Sequence, residues 1–446
     1  MKKIIAGVAL LGTAVSAQAA DLAVKAPYTK APAMAAVYDW TGFYLGVNAG
    51  VGLGRDRTQH FNGGVENSTY LSPLGAIGGI QAGYNWQTNS VLGPIVFGIE
   101  ADIQGADMRD GYVNLVGDTF NQRLDWFGTV RGRVGLVTGP TLSYITAGYA
   151  YGDVKTSGVT GGVPFAMGGG RSGWTWGSGV EAALGGNWTG KIEYLYLDLG
   201  DPTGVYAAGT QSIRSELREH IFRVGLNYRI GGNSTYMQTA SANWNGFYLG
   251  GNFGSGTARD RSSVVGGGAA SNFNLSPDGF NGGVQAGYNW QTGNTVFGLE
   301  TDSQGASSED NKTCFACGAA GLNINSKLPW FGTVRGRLGY AVGPSLLYAT
   351  GGLAYGGIKT AFNGASFSET RTGWTVGAGI ETPFTLLGLF GPNWTSKTEY
   401  LYVDLGRSTT NLNLGGAPAV FTTNVQEHIF RTGLNYHFNA PVVAKY

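Results

Sequence analysis

Charge is scarce in this 446-residue sequence. Asp, Glu, Lys and Arg make up 13% of it, against about 25% in an average soluble domain, and they balance to +1. No long-range field of either sign is therefore available to gather nucleic acid or an acidic ligand. Helical periodicity is nearly missing too, since hardly any window shows an apolar stripe every 3.6 residues. Beyond the first twenty positions no stretch approaches the ~18 unbroken apolar residues of a membrane-spanning helix, so the mature chain is expected to have none. Cysteine occurs twice, at Cys314 and Cys317. A metal site would need further ligands nearby, and a thioredoxin-like role would need a helix start in a βαβ unit. Neither is visible, so the pair reads as a disulfide closing a small loop in an exported protein.

The usual marks of catalysis are lacking as well. There is no phosphate loop, zinc spacing or EF-hand, and the glycine runs at 168–170 and 266–268 have no strand-to-helix context. Of four histidines, His220 and His428 follow Glu219 and Glu427. A Glu–His pair could orient a general base. Adjacent strand residues point to opposite faces, however, and no Ser or Cys nucleophile recurs beside either pair, so both are expected to be polar residues at a rim. No enzyme activity, cofactor or metal is expected.

What is abundant is glycine, with 77 residues, and aromatics, with 12%. The glycine has no Gly-X-Y period, and 42% apolar content is too much for disorder. Many short, glycine-tolerant, aromatic-rich strands are the natural reading. The chain opens with Lys2 and Lys3, an apolar run from Ile4 to about Ala17, and Ala17-Gln18-Ala19. This is a signal-peptide pattern over residues 1–20, cleaved near Ala19 or Ala20; the apolar run is short for a membrane anchor.

The sequence is printed twice. "QAGYNWQT" stands at Gln81 and again at Gln285, "WTGFYLG" at Trp40 returns as "WNGFYLG" at Trp244, and "WFGTVRGRVG" at Trp126 as "WFGTVRGRLG" at Trp330. "EYLYLDLG" at Glu193 and "EHIFRVGLNYRI" at Glu219 also have partners, at Glu399 and Glu427. The offsets drift between 200 and 208, with every slip between matched blocks, as insertions in loops would give. The chain is thus a tandem pair of units, 40–230 and 244–438. A segment 21–39 precedes them on the periplasmic side, a linker 231–243 joins them, and a tail 439–446 follows.

Each unit alternates polar and apolar. Phe97, Ile99, Ala101 and Ile103 oppose Glu100, Asp102 and Gln104; Phe222, Val224, Leu226, Tyr228 and Ile230 oppose Arg223, Gly225, Asn227 and Arg229. A soluble sandwich would also alternate, but its core could not accept full charges at mid-strand or so many glycines. Turned inside out, the pattern fits strands whose apolar face meets lipid and whose polar face lines a lumen. Strands survive in lipid only when the sheet closes on itself. Eight strands per unit are expected, near 40–54, 76–87, 94–105, 124–137, 141–153, 172–183, 188–199 and 218–230 in the first. Long polar loops at 55–75, 106–123, 154–171 and 200–217 would alternate with short turns. Trp40, Trp86, Trp126, Trp174 and Trp188 are expected in interfacial girdles, with core packing as the alternative.

With "WTGFYLGVNAG", "GGIQAGYNWQ", "VFGIEAD", "RGRVG" and "RVGLNYRI" in place, the chain resembles the RopB-type, OmpA-like family of eight-stranded outer-membrane barrels, over nearly its whole mature length and twice. The resemblance implies an integral, surface-exposed outer-membrane protein that ties the envelope together; some relatives act as porins or bind ligands. It also implies a terminal-strand signal for the barrel-assembly machinery, here Gly225, Tyr228 and Ile230, and Gly433, Tyr436 and Phe438. Lipid and that machinery are the implied partners; nucleic acid is not.

The fold class is therefore all-β, with transmembrane antiparallel barrels. Sixteen strands could close as two barrels of eight or as one of sixteen. Eight strands leave an interior just filled by side chains, while sixteen leave an aqueous channel. The mid-strand charges are Glu100, Asp102, Glu181 and Glu193 with Arg131, Arg133, Lys191, Arg223 and Arg229, then Glu300, Asp302, Glu381 and Glu399 with Arg335, Arg337, Lys397 and Arg431. Each half is nearly self-neutral, as a plugged lumen of paired charges requires. Two barrels and a structural role are favoured, ahead of a diffusion pore and of adhesion or ligand capture by surface loops.

Overall fold

The computed structural model describes residues 38–438 apart from 63–64, 92, 114–116, 232–241, 267–268, 315–321, 363–364, 385–389 and 415–416. The signal peptide, nearly all of segment 21–39, most of the linker and the tail lie outside the described residues. So does Cys317, which leaves the Cys314–Cys317 disulfide undescribed.

The first sheet holds β1 (Gly42–Asn62), β2 (Val65–Leu71), β3 (Leu74–Ser90), β4 (Gly93–Val113), β5 (Thr119–Thr138), β6 (Thr141–Thr160), β7 (Val163–Gly185), β8 (Trp188–Asp198), β9 (Thr203–Tyr206) and β10 (Gln211–Ile230). The second holds β11 (Gly246–Gly266), β12 (Ala269–Leu275), β13 (Asp278–Thr292), β14 (Thr295–Cys314), β15 (Leu322–Val342), β16 (Ser345–Phe362), β17 (Ala365–Pro383), β18 (Trp394–Leu414) and β19 (Ala417–His437). All neighbours are antiparallel. β1 pairs with β10 from Phe43–Ile230 to Asn62–Gln211, and β11 pairs with β19 from Tyr248–His437 to Gly266–Ala419. Each sheet closes on its own first and last full strand, with β2, β9 and β12 as short additions to the rim. Two barrels of eight form, and the single sixteen-stranded barrel does not.

Alternation decides which way each strand faces. Phe97, Ile99 and Ile103 are 49%, 50% and 48% exposed, whereas Glu100, Asp102 and Gln104 between them are at most 5% exposed. Trp86 and Trp188 stand outward near strand ends, and Trp126 and Trp174 stand outward within the longer β5 and β7; amphipathic rings in such belts suit a membrane interface. Trp40 and its counterpart Trp244 do not. Both are buried inside a barrel mouth, and the Trp40 backbone N–H donates to Gln87 Oε1 at 2.8 Å. The girdle expected at Trp40 is therefore an inner plug, built with Tyr38 4.8 Å away.

The expected long loops are also corrected. Most of 55–75, 106–123, 154–171 and 200–217 is strand, so the barrels continue as hairpins well past the outer aromatic belt. Polar residues pair there as readily as apolar ones, because water meets the outer face. At the other end the turns are tight. Thr138 pairs with Thr141 across Gly139-Pro140, and Gly139 has φ of 59°, a left-handed conformation that glycine adopts without strain.

Candidate functional site

The candidate site is the lumen. In the first barrel all nine mid-strand charges singled out above point inward, and all but Arg229, which donates to the Thr41 carbonyl at 3.1 Å, join one cluster. Arg131, on β5, is the hub. It binds Glu100, Asp102 at 2.9 Å and Glu193 at 3.1 Å. Arg223 on β10 reaches Asp102 at 3.0 Å and Glu193 at 2.6 Å. Lys191 on β8 holds Glu100 at 2.9 Å, and Arg133 holds Glu181 at 3.0 Å. Five strands thus meet across one cross-section, none of these side chains being more than 3% exposed.

The second barrel repeats the arrangement. Arg335 binds Glu300, Asp302 at 3.1 Å and Glu399 at 3.1 Å. Arg431 reaches Asp302 at 2.8 Å and Glu399 at 2.6 Å; Lys397 holds Glu300 at 2.9 Å; Arg337 holds Glu381 at 2.8 Å. Taking such ions out of water costs several kcal/mol each, and only dense mutual pairing offsets that. Every acid here has at least one cation within 3.1 Å, which is the condition for keeping the cluster ionised and closed.

Several members were not singled out from the sequence. Tyr44 and Tyr144 lie across the lumen, donating to Glu100 and Glu193 at 2.8 Å each. Tyr248 and Tyr348 do the same at 2.6 and 2.9 Å. Thr129 and Thr333 donate to Asp102 and Asp302. Lumen-facing glycines make room for these rings: a Cβ on Gly83 would lie 2.3 Å from the Tyr44 hydroxyl, and one on Gly179 2.6 Å from that of Tyr144. Parity in "WTGFYLG" already put this tyrosine on the inner face, beside Gly46.

The lumen is not polar throughout. Beyond the charges, Ile77, Met108, Leu124, Phe127, Leu195, Leu197, Leu217 and Ile221 form a buried apolar layer across the first barrel. Leu328, Phe331, Leu401, Val403 and Ile429 form its equivalent in the second. Above it in the first barrel come Asp56, Gln122, Thr156 and Ser215, then a further apolar cluster of Leu71, Phe120, Phe165 and Ile213. Glu219 and Glu427 sit at the apolar layer, fully buried and inward-facing, and not at an exposed rim. His220 and His428 face outward; each Nδ1 is hydrogen-bonded to a tyrosine hydroxyl, of Tyr194 at 2.9 Å and Tyr400 at 2.7 Å.

The terminal-strand residues lie at the short-turn end. Tyr228, Ile230 and Phe438 are 43%, 49% and 56% exposed. Tyr228 packs edge-on to Trp188 and Tyr436 to Trp394. Gly225 faces Lys191, whose Cε a Cβ would approach to 3.1 Å, and Gly433 lies against Asn252. No group of His, Cys, Asp and Glu among the described residues has the geometry of a metal site.

Comparison with known proteins agrees with this geometry. Residues 7–229 and 231–438 each match the family described as outer membrane protein beta-barrel domain, and the chain belongs to that family, twice over. It is 36% identical over 244 residues to the 31 kDa outer-membrane immunogenic protein of Brucella melitensis, a match spanning 51% of this chain and all of the relative. It is 34% identical over 205 residues to the 22 kDa outer membrane protein of Rhizobium leguminosarum bv. viciae, spanning 44% of this chain and 80% of that protein. The crystal structure of Ail, the attachment invasion locus protein of Yersinia pestis, aligns at 16% identity over 43% of this chain and 99% of its own, with a TM-score of 0.24. The protein is thus an outer-membrane β-barrel protein.

Proposed function

Taking membership in the outer-membrane barrel family as the premise, we propose that this protein is a closed structural barrel pair, stabilising the envelope and presenting its long hairpins at the surface, without passing solutes. The observation that carries this reading is the layered lumen. A solute would have to break the Arg131 and Arg223 ion pairs, then cross the apolar layer of Phe127, Leu195, Leu197 and Ile221. An eight-stranded barrel has an interior that side chains just fill. Lipid would meet the outward apolar faces, and the assembly machinery would read the last strands at Tyr228–Ile230 and Tyr436–Phe438.

Planar-bilayer recording of the purified chain tests the proposal. Silence at moderate voltage is the expected result; stable nanosiemens-scale steps would replace it with a diffusion pore. A variant carrying Phe127→Ala, Leu195→Ala and Leu197→Ala, which hollows the apolar layer of one barrel, is expected to leak at most in small, flickering events, because the charge cluster below still closes the section.

A further inference from the structure

Outward-facing apolar residues at membrane depth are about half exposed on most of each barrel, but a few are not. Ile192, Tyr194 and Phe222 of the first barrel and Ile380 and Phe430 of the second have the outward parity yet are at most 7% exposed. They pack on one another: Tyr194 stacks on Phe430 at 5.8 Å, and Phe222 meets Tyr400 at 5.0 Å. Tyr400 is the second-copy counterpart of Tyr194, and Phe430 that of Phe222, so the two contacts are one contact made twice with the roles exchanged.

The same exchange recurs beyond the outer aromatic belt. Arg55 reaches across to Asp310 at 3.1 Å, and Arg259 reaches back to Asp110 at 2.8 Å. Arg259 is the counterpart of Arg55, and Asp310 that of Asp110. Between these pairs Ser72 Oγ meets Ser276 Oγ at 2.8 Å, and these two serines are counterparts of each other. A residue contacting its own counterpart, flanked by exchanged pairs, marks a two-fold axis, the property of an isologous interface. A tether alone brings neighbours close without mirroring their contacts. Burying apolar side chains against each other instead of lipid supplies little drive in a membrane. The aromatic contacts therefore shape the seam, and the buried carboxylates of Asp110 and Asp310, each also accepting from a serine N–H at 2.7 Å, fix its register.

We propose that the two barrels form a homodimer-like pair made covalent by gene fusion, and that the Arg55/Asp310 and Arg259/Asp110 face is a specific recognition surface for a second barrel of the same kind. The inference concerns pairing, and holds whether or not the lumen conducts.

The test uses the full chain with a protease site introduced within residues 232–241 and an affinity tag on one half. After cleavage in membranes and extraction in mild detergent, the halves are expected to stay together. With Arg55→Asp and Arg259→Asp combined, co-purification is expected to fall at least tenfold, while heat-modifiable gel mobility shows both barrels still folded. Separation of the unaltered halves on cleavage, or retention indifferent to the double reversal, overturns the proposal. As a second measurement, Ser72→Cys with Ser276→Cys, in a chain carrying Cys314→Ser and Cys317→Ser, is expected to form an internal disulfide on mild oxidation. Its failure to form would equally overturn the seam.

Discussion

The two barrels agree at their centres and differ towards their ends. Arg131 and Arg335 each bind the same three acids, Lys191 and Lys397 each lie 2.9 Å from their glutamate, and the tyrosine donors match. Towards the long hairpins, Met108 in one barrel stands where Ser308 stands in the other. Among the described residues neither oxygen of Glu219 has a hydrogen-bond partner, whereas Glu427 Oε1 accepts from Ser308 Oγ at 3.0 Å. At the short-turn mouth, the Arg229 guanidinium lies 4.8 Å from the Tyr38 ring. His437 takes that place in the second barrel, 3.3 Å from Glu381. The difference teaches where single changes are tolerated. At the centre each cation is shared among several acids, so losing one unbalances the whole cluster; at the ends the positions that differ between the copies lie outside that shared cluster.

The largest effect should come from the centre. Arg131→Ala is expected to cost the first barrel about 3–5 kcal/mol, and Arg335→Ala the second the same, because each leaves a buried cluster of four carboxylates one cation short of neutrality. Urea unfolding in lipid or detergent should then show one barrel's transition moving while the other stays. Equal losses in both barrels would mean that they do not unfold separately, and would break the comparison.

Ser308→Ala comes next. It removes the hydrogen bond that the Glu427 carboxylate accepts from Ser308 Oγ, a loss of about 1–3 kcal/mol, read as a lowered midpoint for the second barrel. Met108→Ser should shift the first barrel the opposite way if the new hydroxyl reaches Glu219, and no shift would separate the two sites.

The layer beyond the outer aromatic belt gives a pH test. Burial raises Asp56 to about 7, against the opposing pull of donors Thr58 and Ser215 and the charge of Arg171. The folded state therefore binds this proton more tightly than the unfolded chain does. Stability contributed by the protonated form is present below about pH 4 and is lost as pH rises through about 7. Asp56→Asn should flatten that slope in the first barrel's unfolding midpoint. Burial raises Asp260 too, but it accepts from three hydroxyls, those of Thr423, Ser262 and Ser326. More donors favour the ionised form, so Asp260 should titrate below Asp56 by carboxyl infrared absorption; the reverse order would contradict the argument. The smallest effect is at the mouth. Arg229→His gives up the cation over Tyr38 and should cost about 0.5–1 kcal/mol, visible only as a slight shift of the first barrel's midpoint.

Much of this was legible in the letters, because alternation has only two phases. Glu100, Arg131 and Arg223 could face only lipid or lumen, and lipid rejects them. Where both faces are apolar the rule falls silent. In "EYLYLDLG" tyrosines 194 and 196 look outward and leucines 195 and 197 inward, and nothing in hydrophobicity distinguishes them, so the apolar layer escaped notice. Trp40 precedes its strand and has no phase at all. Tyr194 and Phe222 suit a second barrel as well as they suit lipid, so the seam had no sequence signature. The outer hairpins were read as loops because their residues are polar, but a strand wetted outside needs no grease there.

Within each barrel the strand that begins the circuit lies beside the strand that ends it, and Phe43 and Ile230 are direct neighbours. Entrance and exit therefore open on one side of the bilayer. Copies can be strung along a single chain with no thread crossing lipid between them, and the same topology would admit a third bead as easily as it admitted the second.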